Sequence, residues 1–400
     1  MRSYLKSHQW ITFEATDINS IHPRIWMLLG EARSKCEHLA GTPLQPEVAE
    51  KFYRVALVKG AQATTAIEGN TLTEEQVAGI LSGTYRAPPS RAYQEREVKN
   101  VLEALTSIAQ QVMEGGFPTI TSQLICDYNR QVLEGTRYEP HVVPGRIRDY
   151  SVGVPAYRGA PPEDCQYLVD RLADWLESDT FQSEDAEIRF ALAIACAVYA
   201  HLYIAWLHPF GDGNGRTARL LEFLILARCG MIPLPVAHLL SNHYNLTRDE
   251  YYRQLAAAGT TQRTDQFLSY AIQGLVDGIR IQIEQVLQQH FRVTWLNFVH
   301  ETMRQFPSSP ARDRQRSLVL AMSSDVEIPK GSLPELTPKL ARLYARKGPR
   351  TLSRDLNRLQ SVQLVARGPR GWRSNAGIIR AFLPPVAESV TGLALPAPIS

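Results

Sequence analysis

His208-Pro209-Phe210-Gly211-Asp212-Gly213-Asn214-Gly215-Arg216-Thr217-Ala218-Arg219 places an imidazole, a carboxylate, three glycines, an amide and two guanidiniums in one short run. An apolar stretch precedes it, and Leu220-Leu221-Glu222-Phe223-Leu224-Ile225-Leu226 follows. That pattern predicts a glycine-rich turn opening a helix, which is an anion site by construction. Backbone N–H groups of Gly213, Asn214 and Gly215 would face phosphate oxygens, helped by the positive end of the helix dipole. Arg216 and Arg219 stand i, i+3 on one helical face, close enough to clamp one polyphosphate. Asp212 can hold a magnesium ion bridging the phosphates. His208 sits where a general base for an incoming hydroxyl is needed. The constellation reads as transfer of a nucleotide's phosphate group to a hydroxyl.

With eight residue types at set spacing, the run resembles the Fic-family motif HxFx(D/E)GNGRxxR, every defining position filled. The resemblance implies binding of Mg-ATP and movement of AMP onto a Tyr, Thr or Ser hydroxyl of a target protein or of the chain itself, with release of pyrophosphate. It also implies roles: His208 deprotonates the hydroxyl, and Asp212 is the metal ligand. Asn214 and neighbouring amides, with Gly211, Gly213 and Gly215, hold the α-phosphate, and Arg216 and Arg219 hold the β- and γ-phosphates. Phe210 anchors the loop in the core. Relatives that transfer phosphate instead tend to lack the second glycine of the turn; Gly215 is intact, which favours nucleotidyl transfer.

A second segment, Thr64-Thr65-Ala66-Ile67-Glu68-Gly69-Asn70, resembles the family's inhibitory signature (S/T)xxxE(G/N), with Thr64, Glu68 and Gly69 at its defining positions. A glutamate delivered into the site would pair with Arg219 and occupy the place of the γ-phosphate. The same residue could instead orient water and run the site in reverse, removing AMP from a modified protein.

At 400 residues, with 44% hydrophobic and 21% charged residues, the chain suits two or three globular domains. Cys36, Cys126, Cys165, Cys196 and Cys229 are scattered without a CxxC pair, which argues against a disulfide framework or zinc site and for a reducing compartment. The start, Met1-Arg2-Ser3-Tyr4-Leu5-Lys6, lacks the apolar core of a signal peptide, so the expected location is cytoplasmic. Phe190 to Leu207 holds no Asp, Glu, Lys or Arg and is long enough for a membrane span. Its alanines, His201, Tyr199 and Tyr203 fit a helix buried on all sides better, and no membrane partner is expected.

The expected architecture is mainly α. Residues 1–94 form an N-terminal helical region carrying the inhibitory segment, and 95–290 form a Fic helical core. Residues 291–383 form a winged helix-turn-helix, followed by a frayed Pro- and Ala-rich tail at 384–400. Trp10-Ile11-Thr12-Phe13 reads as a short extended piece, and Ile25 to Leu39 as a helix. Pro46 opens the next helix at a position where its missing N–H costs nothing. That helix breaks near Gly60, resumes to Glu68, and is capped at Gly69-Asn70. Thr73-Glu74-Glu75-Gln76 is a capping box. Pro144-Gly145-Arg146-Ile147-Arg148 and Val152-Gly153-Val154 read as two short strands around a turn at Asp149-Tyr150-Ser151. They resemble the Fic flap, which holds a target segment by strand addition; a surface loop without a role is the alternative. His243 falls where relatives often carry Tyr near adenine, and Tyr251, in the run Arg248 to Tyr252, is a second nucleotide-binding candidate. His201 is expected to hydrogen-bond within the core.

The C-terminal region is strongly basic. Lys339, Arg342, Arg346, Lys347, Arg350, Arg354, Arg358, Arg367, Arg370 and Arg373 face a single acid, Asp355, in a chain whose net charge is only +3. Pro338 to Arg346 and Leu352 to Gln360 read as two helices, with Leu352, Leu356 and Leu359 inward. Val362, Leu364, Val365 and the turn Arg367 to Gly371 read as a strand and wing. This resembles a winged helix-turn-helix. Arg350, Ser353, Arg354, Asn357 and Arg358 are the candidate DNA contacts; a solvated basic face or a protein-docking module are the alternatives. A homodimer is compatible with all of these. A DNA-binding regulator with a nucleotide-sensing core is the competing functional class, against which the intact His208 speaks.

Overall fold

In the computed structural model, residues 2–16, 21–154, 157–261 and 264–380 are described. The expected tail, 384–400, lies outside them. Sixteen α-helices and two short hairpins are named in chain order. The N-terminal helices are α1 (Tyr4–Ser7), α2 (Pro23–Gly41), α3 (Pro46–Ala66) and α4 (Glu74–Ser82). There follow α5 (Ala92–Met113), α6 (Ser122–Leu133), the strands β1 (Gly153–Val154) and β2 (Tyr157–Arg158), and α7 (Pro162–Leu176). The motif region comprises α8 (Ala186–Leu207), α9 (Asn214–Arg228), α10 (Leu234–Ala237), α11 (Leu239–Leu246) and α12 (Arg248–Thr261). The long α13 (Thr264–Arg304) precedes α14 (Pro310–Ala321), α15 (Pro338–Tyr344), α16 (Pro349–Ser361), β3 (Val365–Arg367) and β4 (Trp372–Ser374). The chain divides into two compact units between Ile283 and Glu284, inside α13.

The first unit is built around α8. Asp185 caps it, its Oδ1 accepting from the amides of Glu187 (2.7 Å) and Ile188 (3.2 Å), a local bond that offsets the orphan donors of a first turn. The helix is apolar on every side because it is enclosed on every side. Among the described residues it alone is long and apolar enough to cross a membrane, and 83% of its apolar window is buried inside the protein. α9 packs along it, and α3, α5 and α6 pack on α9. The segment from Thr64 to Asn70 at the end of α3 is thereby in the same body as the motif.

Three local expectations change. α3 runs unbroken through Gly60. A β-carbon there would lie 2.5 Å from His238 Nδ1, so this glycine admits a neighbouring ring and does not end the helix. Trp10 to Phe13 joins no sheet; the Phe13 amide donates to the Tyr203 hydroxyl at 2.9 Å instead. The hairpin is displaced along the chain: Gly153 pairs with Arg158 and Val154 with Tyr157, while 144–148 is a turn. The reason is hydrogen-bond accounting. The Gly145 amide donates to Asn129 Oδ1, Arg146 to the Val143 carbonyl and Arg148 to the Pro209 carbonyl, which leaves that stretch no ladder edge.

The second unit has its own core, in which Leu318, Leu340, Leu352, Leu356, Leu359, Leu364 and Trp372 pack together. Ser309 and Thr337 cap α14 and α15. β3 and β4 are antiparallel, Val365 opposite Ser374, and Ile328 adds a bridge to Trp372. The lone acid of the basic stretch points inward. Asp355 accepts from Arg314 Nε (2.7 Å) and Nη2 (3.0 Å), Gln315 Nε2 (2.8 Å) and the Tyr344 hydroxyl (2.9 Å). Outward, Arg350, Arg354, Asn357 and Arg358 are exposed. Arg358 stacks on Phe306, 4.2 Å from the ring centroid. Ser353 is half-buried and accepts from Lys330 Nζ at 2.7 Å.

Candidate active site

α8 ends at His208, whose backbone is left-handed (φ 45°, ψ 55°) and turns the chain into the glycine-rich loop. Asn214 then closes the turn on itself: its Oδ1 accepts from the Phe210 amide and its Nδ2 donates to the Phe210 carbonyl, both at 2.9 Å. Its side chain is therefore spent on the loop, and its backbone amide, at the first turn of α9, is the group left for an anion. Gly213 caps α9 with φ 77°, a conformation that disfavours a β-carbon.

Asn129 of α6 pins the loop from outside. Its Nδ2 donates to the Asp212 carbonyl (2.9 Å) and to Thr217 Oγ1 (3.3 Å), while its Oδ1 takes the Gly145 amide. Sequence reasoning missed this residue. The available signal was a polar side chain in line with Ile125 and Val132 on the buried stripe of an amphipathic helix.

Three carboxylates and two guanidiniums meet at the start of α9. Arg216 Nη2 donates to Asp212 Oδ1 at 3.1 Å, and its Nη1 lies 3.7 Å from Glu97 Oε1. Arg219, 1% exposed, donates through Nη2 to Glu68 Oε1 at 2.6 Å and to the Thr64 carbonyl at 2.8 Å. Its Nε and Nη1 have no hydrogen-bond partner among the described residues. A β-carbon on Gly215 would come within 2.1 Å of Glu68 Oε1, so the glycine is what lets a carboxylate oxygen lie on the helix start. Burial pushes the Glu68 carboxyl up, but the charge and hydrogen bond of Arg219, with Arg216 and His208 behind them, hold it below the usual carboxylate range. Its side chain nevertheless keeps 37% exposure.

The segment from Thr64 to Asn70 is anchored at several points. Gly69 turns the chain at φ 95°. Asn70 Nδ2 donates to Glu97 Oε2 and to the Gln94 carbonyl, both at 2.9 Å. From α12, Arg248 Nη2 donates to the Ala66 carbonyl (2.7 Å) and the Tyr252 hydroxyl to the Ile67 carbonyl (3.3 Å). Glu97 and Tyr252 are additions to the expected set. Thr64 enters through its carbonyl.

His208 titrates below the ordinary imidazole value. Burial is the largest cause and the Arg148 guanidinium adds to it, outweighing a hydrogen bond to the Ala205 backbone and the charges of Glu68 and Asp212. The ring is neutral near pH 7 and can accept a proton.

The remaining candidates have other partners. The Tyr251 hydroxyl is bonded to His201 Nε2 at 2.8 Å inside a buried aromatic cluster. His201, 3.4 Å from Glu222 through its other nitrogen, belongs to the same network. His243 packs its ring on Tyr270 and Gly274 of α13. Of the expected flap residues, Arg146 and Val152 flank the hairpin, Ile147 packs against the core and Arg148 is buried. Among the described residues no group of three or more His, Cys, Asp or Glu side chains could hold a metal. Magnesium on a nucleotide needs only one or two carboxylates beside the phosphates. Both hydrogen bonds that the Asp212 carboxylate accepts among the described residues fall on Oδ1, a geometry that leaves Oδ2 for a cation.

Residues 119–226 match the Fic/DOC family profile. The chain is 31% identical over 247 residues to protein adenylyltransferase fic-1 of Caenorhabditis briggsae, covering 60% of this chain and 43% of that protein. It is 34% identical over 197 residues to protein adenylyltransferase fic-1 of Caenorhabditis elegans, covering 49% and 35%. The chain thus spans less than half the length of these curated relatives. A Fic family protein from Desulfovibrio desulfuricans G20 superposes with a TM-score of 0.54 at 23% identity, covering 89% of this chain and 97% of the other. The C. elegans Fic-1 structure gives a TM-score of 0.54 at 24% identity, covering 67% and 73%. The fold is that of Fic proteins.

Proposed function

We propose that this chain is a self-inhibited protein adenylyltransferase. The observation that carries the reading is the Glu68–Arg219 contact at 2.6 Å, set over Gly215 at the start of α9. The neutral His208 takes the proton of a target hydroxyl as its oxygen bonds to the α-phosphorus of ATP. The bond from that phosphorus to the oxygen bridging to the β-phosphate breaks, and pyrophosphate leaves. Amides at the start of α9 stabilise charge on the α-phosphate, and Arg216 and Arg219 take the leaving phosphates. Asp212 would hold a magnesium ion, which supplies charge neutralisation on the phosphates. Glu68 denies Arg219 to the γ-phosphate until it is displaced. The ionised Glu68 near His208 also suits the reverse reading, orientation of water for removal of AMP.

For the second unit we propose a winged helix-turn-helix that binds duplex DNA. Its support is the α15–α16 pair followed by the β3–β4 hairpin, with Asp355 neutralised inside and arginines outside.

Mass spectrometry of cell lysate incubated with isotopically labelled ATP and wild-type, Glu68→Gly or His208→Ala protein tests the first reading. Labelled AMP on Tyr, Thr or Ser should be abundant with Glu68→Gly, scarce with wild type and absent with His208→Ala. Equal labelling by all three refutes it.

A further inference from the structure

Arg148 lies outside the motif, yet its guanidinium is bonded directly to the turn that carries the base. Its Nε donates to the His208 carbonyl at 2.7 Å and its Nη2 to the Leu207 carbonyl at 3.3 Å, the last two carbonyls leaving α8. The same guanidinium donates through Nη1 to the Tyr150 carbonyl and through Nη2 to the Ala160 carbonyl, both at 2.6 Å. Tyr150 and Ala160 flank the β1–β2 hairpin on either side. A β-carbon on Gly159 would sit 2.8 Å from Arg148 Nη2 and 3.0 Å from His208 Cβ, so the three groups are in direct contact. Arg148 is buried, and among the described residues it forms no ion pair with a carboxylate.

That arrangement is costly unless it does something. A buried cation without a counter-charge is kept only by its hydrogen bonds, and His208 has a left-handed backbone that a β-carbon disfavours. We propose that Arg148 is the positioning residue of the general base: one planar guanidinium ties the turn that presents His208 to both ends of the hairpin, so the imidazole and an acceptor held on the hairpin keep one register. This rests on the adenylyl-transfer reading. The charged groups facing the imidazole are Arg148, Glu68 and Asp212, and only Arg148 disfavours its protonation. The residue therefore fixes where the base is and adds to the burial that keeps it neutral.

The experiment compares Arg148→Lys and Arg148→Gln in the Glu68→Gly protein, reading steady-state AMP transfer and the His208 titration by NMR of ring-labelled histidine. The His208 signal is assigned by its loss in His208→Ala. Arg148→Lys keeps the charge but not the planar fork. It should titrate close to the parent while kcat falls by about 10²-fold, with KM for ATP little changed, as a displaced base behaves. Arg148→Gln should lose rate similarly and raise the His208 titration point. A folded Arg148→Gln protein with an unmoved titration point overturns the proposal. So does parental kcat in Arg148→Lys, which also decides the matter if Arg148→Gln does not fold. If no Glu68→Gly protein transfers AMP at all, the adenylyl-transfer reading falls, whereas the titration of Arg148→Gln against Arg148→Lys still judges Arg148.

Discussion

Two carboxylate–guanidinium pairs can be set side by side, and their differences separate a lock from a rivet. Glu68 and Arg219 meet through one nitrogen and one oxygen at 2.6 Å, with Glu68 37% exposed and two nitrogens of Arg219 unsatisfied. Asp355 and Arg314 meet through two parallel bonds at 2.7 and 3.0 Å, with side chains 3% and 10% exposed and Gln315 and Tyr344 completing the carboxylate. The second pair offers no vacancy for a competing anion. The first leaves guanidinium donors over for one and, in the function proposed, its carboxylate takes the place of an incoming phosphate. Similar distances thus go with different surroundings, one pair with guanidinium donors to spare and the other closed on all sides.

The largest effect should come from removing the base that the lock guards. In Glu68→Gly protein, His208→Ala should lower AMP transfer by about 10²- to 10⁴-fold, with circular dichroism unchanged; appreciable residual transfer would mean that opening the lock exposes some other base. The rivet is next. Asp355→Ala strands a buried Arg314 cation and should destabilise the second unit by about 3–5 kcal/mol, read by urea unfolding. Glu68→Ala, measured the same way, should cost far less; comparable losses would erase the distinction.

Acidity sharpens the comparison more gently. The folded Glu68 carboxyl lies below its unfolded value, so the lock's contribution is present above that unfolded value, about 4.3, and is lost as pH falls through the folded one. Wild-type protein should therefore stay inhibited down to about pH 5. Because His208 titrates below the ordinary imidazole value, the Glu68→Gly variant should keep its rate below pH 6.5, and the acid limb of its pH–rate profile should lie under that value. An acid limb at or above 6.5 would place the base elsewhere. The smallest effect belongs to the outer face of α16. Duplex affinity should fall steeply with salt, and Arg354→Ala should reduce the slope of log K against log salt by about one. Arg358, already stacked on Phe306, should matter less.

What was legible in the chain was chemistry confined to a few neighbouring residues. The turn from His208 to Arg219, the capping box at Thr73 and the inward leucines of α16 depend on spacing within a turn or two, and each appears in the structure where spacing places it. What was hidden depends on partners far along the chain. The stretch 144–148 reads as a strand until Asn129 and Pro209 claim its amides. Gly60 reads as a break until His238 fills the space above it. Asp355 shares the inward spacing of Leu352 and Leu359, but the Arg314, Gln315 and Tyr344 that receive it come from other helices.

The most direct test of the lock is calorimetric ATP affinity in wild type, Glu68→Gly and Glu68→Gly/Arg219→Ala. If Glu68 holds the guanidinium that the γ-phosphate needs, ATP should bind Glu68→Gly at least about tenfold more tightly than wild type, a difference of about 1.4 kcal/mol. The double variant should return most of that gain. Equal affinity in the single and double variants would contradict the account.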